Sequence, residues 1–265
     1  MSAEIVRLAL EEDIGTGDVT TQSCVPADRQ AVGRFLAREP LVLAGTEVLA
    51  ELYPGLALLK ADGDACADGD VIATVRGPAR LLLERERVAL NFLQRLSGVA
   101  TLARRYADAV EGTGCRILDT RKTTPGMRDL EKRAAAAGGV TNHRRGLYDA
   151  ILIKNNHIAA AGGIANALKW VRSANLPVEI EVRTREELRE ALENGATHLL
   201  LDNLTPAEAA AWIREIAGRA KVELSGRISL ETVRSYAETG ADFVSAGAIT
   251  HSARAMDISF RLELL

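Results

Sequence analysis

The sequence predicts an α/β protein in which a small, mostly antiparallel sheet precedes a parallel α/β barrel. Three observations lead there. From residue 115 onward, short apolar runs alternate with amphipathic helical segments, as in a parallel sheet wrapped by helices. Before residue 84 the pattern is short strands separated by Asp-Gly and Gly-Asp turns. The apolar runs of the second half also end, one after another, in polar, charged or glycine residues. Cys115–Leu118 runs into Asp119, Thr120, Arg121 and Lys122, and Ala150–Ile153 into Lys154. Val178–Ile180 ends at Glu181, His198–Leu201 at Asp202, Val222–Leu224 at Ser225-Gly226, and Phe243–Ala246 at Gly247. In one parallel barrel these groups share one mouth, at the strand ends where barrel enzymes carry their active sites.

Residues 3–12 suit a short helix, and EEDIGTGDVTT after it reads as a loop, being rich in Gly, Asp and Thr. Residues 30–83 read as the small sheet. Residues 84–111 then form one long helix, with Val88, Phe92, Leu96, Val99 and Ala103 on a single stripe, ended by Gly112 and Gly114. Strands follow at 115–119, 150–154, 178–182, 198–202, 221–225 and 242–246. Helices fit 126–137, 160–173, 185–194, 205–218 and 229–239. Thr184, Thr205 and Ser229 are expected N-caps, with Pro206 in a first helical turn. Gly195 and Gly240 are expected helix stops. Six strands without a GxGxxG turn favour a barrel over a dinucleotide-binding sheet. The tail SARAMDISFRLELL is expected to leave the barrel and pack back on the first domain.

The chain has 265 residues and is 47% hydrophobic but only 4% aromatic, so its core is mainly Ala, Leu, Val and Ile. A net charge of -3 argues against a nucleic-acid-binding surface. The three cysteines, Cys24, Cys66 and Cys115, are widely spaced and odd in number, which suits a reducing compartment. The N-terminus lacks a signal-peptide pattern, and no apolar run approaches the roughly 20 residues that span a bilayer. The expectation is a soluble cytoplasmic protein with no membrane and no nucleic-acid partner.

Arg121, Lys122, His143, Arg144 and Lys154 all fall at or just after strand ends, as does Asn155-Asn156. Any one of them alone reads as solvated rim. Lys154 directly follows Ala-Ile-Leu-Ile, which predicts a buried stem and an inward ammonium. Several cations in one mouth repel each other unless a polyanion joins them, and phosphates and carboxylates are the candidates. Glu181 and Asp202 end consecutive strands. They are open to four roles: partners of the lysines, acid/base groups, holders of Mg2+ on a phosphate, or hydrogen-bond partners of ribose hydroxyls. Asp119 either does the same or orients Arg121. Ser225-Gly226 and Ala246-Gly247 end the last two strands, where late barrel loops cradle phosphate with backbone N–H groups. His198 starts its strand far from the mouth and is assigned to structure. No spacing supports a zinc site or a nucleophilic hydrolase.

Several stretches together resemble the quinolinate phosphoribosyltransferase family (nicotinate-nucleotide diphosphorylase, carboxylating). They are EEDIGTGDVTT, ERVALNFLQRLSGVAT, ILDTRKTTPGMRDLEKRAA, GGVTNHRRGLYDAILIKNNHI, EIEV, LLLDN and VSAGAITHSARAMDIS. They span most of the chain. The resemblance implies an N-terminal α/β sandwich over 1–100, joined by the tail 256–265. It also implies an open, type II phosphoribosyltransferase-like barrel of about seven strands over 101–255. Further implications are transfer of phosphoribosyl from phosphoribosyl pyrophosphate to quinolinate with loss of CO2, a need for Mg2+, and a dimer in which Arg87 crosses to the partner's site. Arg87, Arg121, His143, Arg144 and Lys154 then surround the quinolinate carboxylates. Lys122, Lys154, Glu181 and Asp202 serve the phosphoribosyl pyrophosphate and its metal, with Glu181 and Asp202 reaching the ion through water and pyrophosphate. Lys122, Lys154, Glu181 and Asp202 are the catalytic set. Ser225, Gly226, Ala246 and Gly247 take the 5′-phosphate. Three positions depart from the family pattern: Arg227 where a second glycine is common, Arg183 after EIEV, and Val140 before the NHR segment. The competing readings are a non-catalytic or differently specific relative, and a Schiff-base aldolase or decarboxylase using Lys154.

Overall fold

The computed structural model describes residues 2–265. In chain order the elements are α1 Ser2–Ile14, α2 Val19–Cys24, β1 Gln30–Ala37, β2 Leu41–Val42, α3 Thr46–Leu52, β3 Leu56–Leu58, β4 Ala65–Cys66, β5 Val71–Pro78 and α4 Ala79–Ala109. Then come β6 Arg116–Leu118, α5 Arg128–Ala137, β7 Ile151–Ile153, α6 Asn155–Ala161, α7 Ile164–Val171, β8 Val178–Val182, α8 Arg185–Glu193, β9 His198–Asp202 and α9 Pro206–Ile216. The chain ends with β10 Lys221–Ser225, α10 Val233–Ala237, β11 Phe243–Ser245, α11 Ala248–His251 and β12 Ile258–Leu264. No helix among the described residues is long and apolar enough to cross a membrane.

These elements form two compact units. One comprises Met1–Arg104, Thr123–Gly139 and Ile249–Leu265; the other comprises Arg105–Lys122 and Val140–Ala248. The first unit is built on a four-stranded antiparallel sheet ordered β12-β1-β5-β3. The C-terminal strand β12 pairs with β1 along its length, Ile258 opposite Ala37 and Leu264 opposite Ala31. Phe35 packs in tilted contact with Phe260 at 4.8 Å and Tyr53 at 5.8 Å between ring centres. Gly33 leaves room for the Phe260 ring, since a Cβ there would lie 2.1 Å from it.

The second unit is a six-stranded parallel sheet ordered β6-β11-β10-β9-β8-β7. Thr141 adds a one-residue parallel bridge to Leu118 on the far side of β6. Consecutive strands β8 to β11 are neighbours, each joined by one helix, as short parallel crossovers require. Side chains alternate along each strand. Ile180, Val182, Leu199, Leu201, Val222 and Leu224 are buried on one face. Glu179, Glu181, Leu200, Asp202, Glu223 and Ser225 share the other.

Local details depart from the sequence reading where side-chain capping or glycine decides. EEDIGTGDVTT is not all loop. α1 runs on to Ile14, and α2 starts at Val19 because the Asp18 carboxylate accepts the Thr21 N–H at 2.9 Å. The expected helix over 160–173 is two helices, α6 and α7, parted by Gly162 (φ 77°) and Gly163 (φ 122°). Thr184 and Thr205 cap α8 and α9, but Ser229 belongs to a turn and α10 begins at Val233. The long helix starts at Ala79, immediately after Pro78.

Within the first unit, Gly98 of α4 lies against the 254–255 backbone, where a Cβ would sit 1.8 Å from the Arg254 carbonyl oxygen. Backbone cannot swing aside as a side chain does. Gly98→Ala is expected to cost about 1–3 kcal/mol, read as a lower urea midpoint at unchanged slope. An unaltered midpoint would show that the tail does not pack tightly on α4.

Candidate active site

The C-terminal ends of the barrel strands enclose a cavity of about 160 Å³. Thr120, Arg121 and Lys122 reach it from beyond β6, and His143 and Arg144 from the loop before β7. Lys154 enters after β7, and Ser225 from the end of β10. Five predicted cationic or imidazole side chains thus share one small space.

The loop that carries His143 and Arg144 is held from below. Asp119 is fully buried at the end of β6. Its Oδ1 accepts the His143 N–H at 2.7 Å, and its Oδ2 accepts Asn142 Nδ2 at 2.8 Å. These bonds tie the loop to the barrel. Arg144 donates from Nη1 to the Ala150 carbonyl at 3.0 Å. Burial, and then the neighbouring Arg121 charge, push Arg144 below the usual guanidinium range. A guanidinium stays charged under such pressure, so the pair gains most from a shared anion.

Glu181 is buried, and both its oxygens face cations. Oε1 accepts Arg183 Nε at 3.0 Å and Nη2 at 2.6 Å, and Oε2 lies 3.7 Å from Lys154 Nζ. Lys154 is more open than its apolar approach suggests, with half of its side chain accessible. Its backbone N–H donates to His157 Nδ1 at 2.9 Å, which gives His157 a capping role at α6. Asp202 Oδ1 accepts the Ser225 hydroxyl at 3.2 Å, and Oδ2 accepts Asn203 Nδ2 at 2.6 Å. The acids thus stand beside the cationic cavity, on neighbouring strands.

Of the late loops, Gly226 (φ 109°) sits so close to Asn203 that a Cβ would lie 2.5 Å from its side-chain oxygen and 2.7 Å from its backbone nitrogen. Arg227 follows in the left-handed region at φ 49°. The Ala246 N–H donates to the Leu118 carbonyl at 3.1 Å, tying the start of that loop to β6, and Gly247 follows. Arg87 is an exposed residue of α4, in the other unit.

The strand-end reading missed a layer beneath the mouth. Glu179 and Glu223 are buried in the barrel, and His143 Nε2 lies 3.3 Å from one and 3.5 Å from the other. The three ligand atoms fall within 4.8 Å of one another. Period-two alternation was the available signal: Glu179 shares a face with Glu181, and Glu223 with Ser225. His198, assigned to structure, lies 3.5 Å from the second oxygen of Glu179 and 5.6 Å from the Phe243 ring centre.

Comparison with known proteins gives the same answer along the whole chain. Residues 18–97 match the family model for the quinolinate phosphoribosyl transferase N-terminal domain, and residues 99–261 that for the C-terminal domain. The chain is 42% identical over 262 residues to a probable nicotinate-nucleotide pyrophosphorylase [carboxylating] of Bacillus subtilis, covering 96% of this chain and 90% of that protein. It is 42% identical over 273 residues to the nicotinate-nucleotide pyrophosphorylase [carboxylating] of Mycobacterium leprae, covering 98% and 96%. The structure of the nicotinate-nucleotide pyrophosphorylase from Francisella tularensis superposes with a TM-score of 0.95 at 36% identity, covering 99% of this chain and 96% of that one.

The buried acids give the folded protein a pH signature of its own. Burial, and then the charge of Glu179, push the Glu223 carboxyl up to about 8, against the opposing pull of His143 and Ser245. The native state therefore keeps a proton that the unfolded chain releases, between its ordinary 4.5 and about 8. This contribution to stability is full below the lower value, falls as pH rises through the window and is gone above it. Glu223→Gln is expected to melt with the parent near pH 5 and above it near pH 8.5. Parallel melting curves at both pH values would refute the raised value.

Proposed function

The chain belongs to the quinolinate phosphoribosyltransferase family, and we propose that it catalyses the family's decarboxylating transfer on its own account. It moves the phosphoribosyl group of phosphoribosyl pyrophosphate to the ring nitrogen of quinolinate and releases nicotinate mononucleotide, pyrophosphate and CO2. The observation that carries this reading is the gathering of Arg121, Lys122, His143, Arg144 and Lys154 on one cavity of about 160 Å³ beside Glu181 and Asp202. Quinolinate is a dianion and the donor is a polyanion, so binding both together calls for such a lining.

In this reading Arg121, His143 and Arg144 hold the two carboxylates, with Arg144 already desolvated for the purpose. Lys122 and Lys154 face the donor's phosphates. The ring nitrogen attacks the anomeric carbon as its bond to pyrophosphate breaks, and the sugar passes through a state with oxocarbenium character. Alignment and fixed charge do most of the work. The alkylated ring nitrogen is cationic. Its charge stabilises the carbanion left on the adjacent ring carbon when the carbon–carboxylate bond breaks, and that carbon is then protonated. The Ser225-Gly226 and Ala246-Gly247 segments serve the 5′-phosphate, with Gly226 giving the closest backbone approach.

Magnesium fits Glu181 and Asp202 as an ion that arrives on the donor. They offer carboxylates on neighbouring strands, and Mg2+ takes most of its ligands from phosphate and water. Bound there, it neutralises charge on the leaving pyrophosphate. Arg183, which holds Glu181 Oε1, must share or yield that oxygen. We further place Arg87 in the site of a partner subunit within a homodimer, because it is an exposed cation in the segment that matches the family's interface arginine. Three free thiols suit a cytoplasmic setting.

The Schiff-base alternative requires a desolvated lysine. Lys154 is half open to water and faces a carboxylate, and borohydride with a keto substrate is expected to trap no adduct.

The deciding assay supplies quinolinate, phosphoribosyl pyrophosphate and Mg2+ and follows nicotinate mononucleotide and CO2. Nicotinate, lacking the second carboxylate, is expected to react at least about 100-fold less efficiently. Arg121→Ala is expected to raise KM for quinolinate about ten-fold or more, and Lys154→Ala to lower kcat about 100-fold. Full activity in Lys154→Ala, or equal use of nicotinate, would sink this reading.

A further inference from the structure

Glu179 and Glu223 do not appear in the mechanism above, yet both are buried beneath the mouth, at 5% and 1% exposure. Two carboxylates placed together inside a barrel are costly. One oxygen of each, Glu179 Oε1 and Glu223 Oε2, has no hydrogen bond at all. An arrangement this unfavourable persists where the fold or the site depends on it, and both acids face His143.

His143 is held at three points. Its backbone N–H donates to Asp119 at 2.7 Å. Its Nδ1 accepts the Arg144 N–H at 2.6 Å. That leaves Nε2 as the protonated nitrogen, and Nε2 points between Glu179 at 3.3 Å and Glu223 at 3.5 Å. Both distances are longer than a tight hydrogen bond, so the pair forms an acidic cradle under the ring rather than a single strong contact. The same arrangement sets the tautomer, since only a ring carrying its proton on Nε2 satisfies both sides. Arg144 shares the peptide with His143, so its backbone direction depends on the ring that accepts its N–H.

We infer that Glu179 and Glu223 are positioning residues for quinolinate: they orient His143 and, through the 143–144 peptide, set Arg144 at the floor of the dicarboxylate pocket. This rests on the reading of His143 and Arg144 as quinolinate-binding groups. It assigns a role to two acids that lie outside the set of strand-end residues, and it separates them from Glu181 and Asp202, which face the donor.

The test is a double-mutant cycle on the full-length protein, read as dissociation constants for quinolinate and, separately, for phosphoribosyl pyrophosphate. His143→Ala is expected to weaken quinolinate about ten-fold or more. Glu179→Gln and Glu223→Ala are each expected to weaken it about five-fold or more. Each should have less than about a two-fold effect when added to His143→Ala. Affinity for phosphoribosyl pyrophosphate should stay within about two-fold throughout. Glu179→Gln keeps the shape of the side chain and decides the matter if Glu223→Ala does not fold. Unchanged quinolinate binding in His143→Ala would overturn the reading of the pocket itself. If His143→Ala weakens binding, the positioning role alone falls on any of three results: Glu179→Gln has no effect, its effect persists undiminished on the His143→Ala background, or donor affinity drops in step. A stoichiometric metal ion in the purified protein, lost from Glu179→Gln, would overturn it too.

Discussion

The mouth depends on the parallel register of β8, β9 and β10. Glu181 stands opposite Leu200, Leu200 opposite Glu223, and Asp202 opposite Ser225. Those pairings put the acids, the hydroxyl and the buried glutamates on one face, while Ile180, Leu199, Leu201 and Leu224 fill the other. A slip of one residue in β9 would turn Asp202 away from the cavity and expose Leu199 and Leu201 to it. The apolar face therefore holds the polar one in place. Burial of four leucine and isoleucine side chains and of Val182 and Val222, at roughly 1.5–3 kcal/mol each, offsets the cost of a few inward acids.

Electrostatics explains why so many cations tolerate one another before any ligand arrives. Asp119 is fully buried and accepts the His143 N–H and Asn142 Nδ2, which anchors the loop that carries Arg144. Glu181 faces Lys154 and Arg183 from its two oxygens, and Asp202 accepts from Ser225 and Asn203. Burial and the charge of Arg121 weigh on Arg144, and a bound anion would relieve that repulsion.

Much of this was legible in the sequence, for a physical reason. A parallel strand buried on both faces reads as an apolar run, so a charge that ends the run marks the mouth. Lys154, Glu181 and Asp202 were found in this way. The same habit hid Glu179 and Glu223, because a carboxylate inside an apolar run looks like an interruption of a strand rather than an inward group. Counting by twos from Glu181 and Ser225 recovers both. α2 was missed because Gly, Asp and Thr serve loops and N-caps alike, and only the Asp18 side chain settles which. Nor could any strand-end argument reach Arg87, which lies on a helix of the other unit and was singled out by resemblance alone.

The departures from the family pattern carry the last step. Gly226 has no substitute, because Asn203 occupies the space any Cβ would take. The next residue must then continue the turn, and Arg227 does so at φ 49°. A left-handed conformation costs an L-residue about 1–2 kcal/mol that a second glycine would not incur. The close approach of Asn203 to Gly226 therefore fixes the path of this turn, whatever side chain follows it. Arg183 makes the complementary case. Its guanidinium grips Glu181 through two nitrogens on one oxygen, which stabilises an otherwise buried charge before any donor is present.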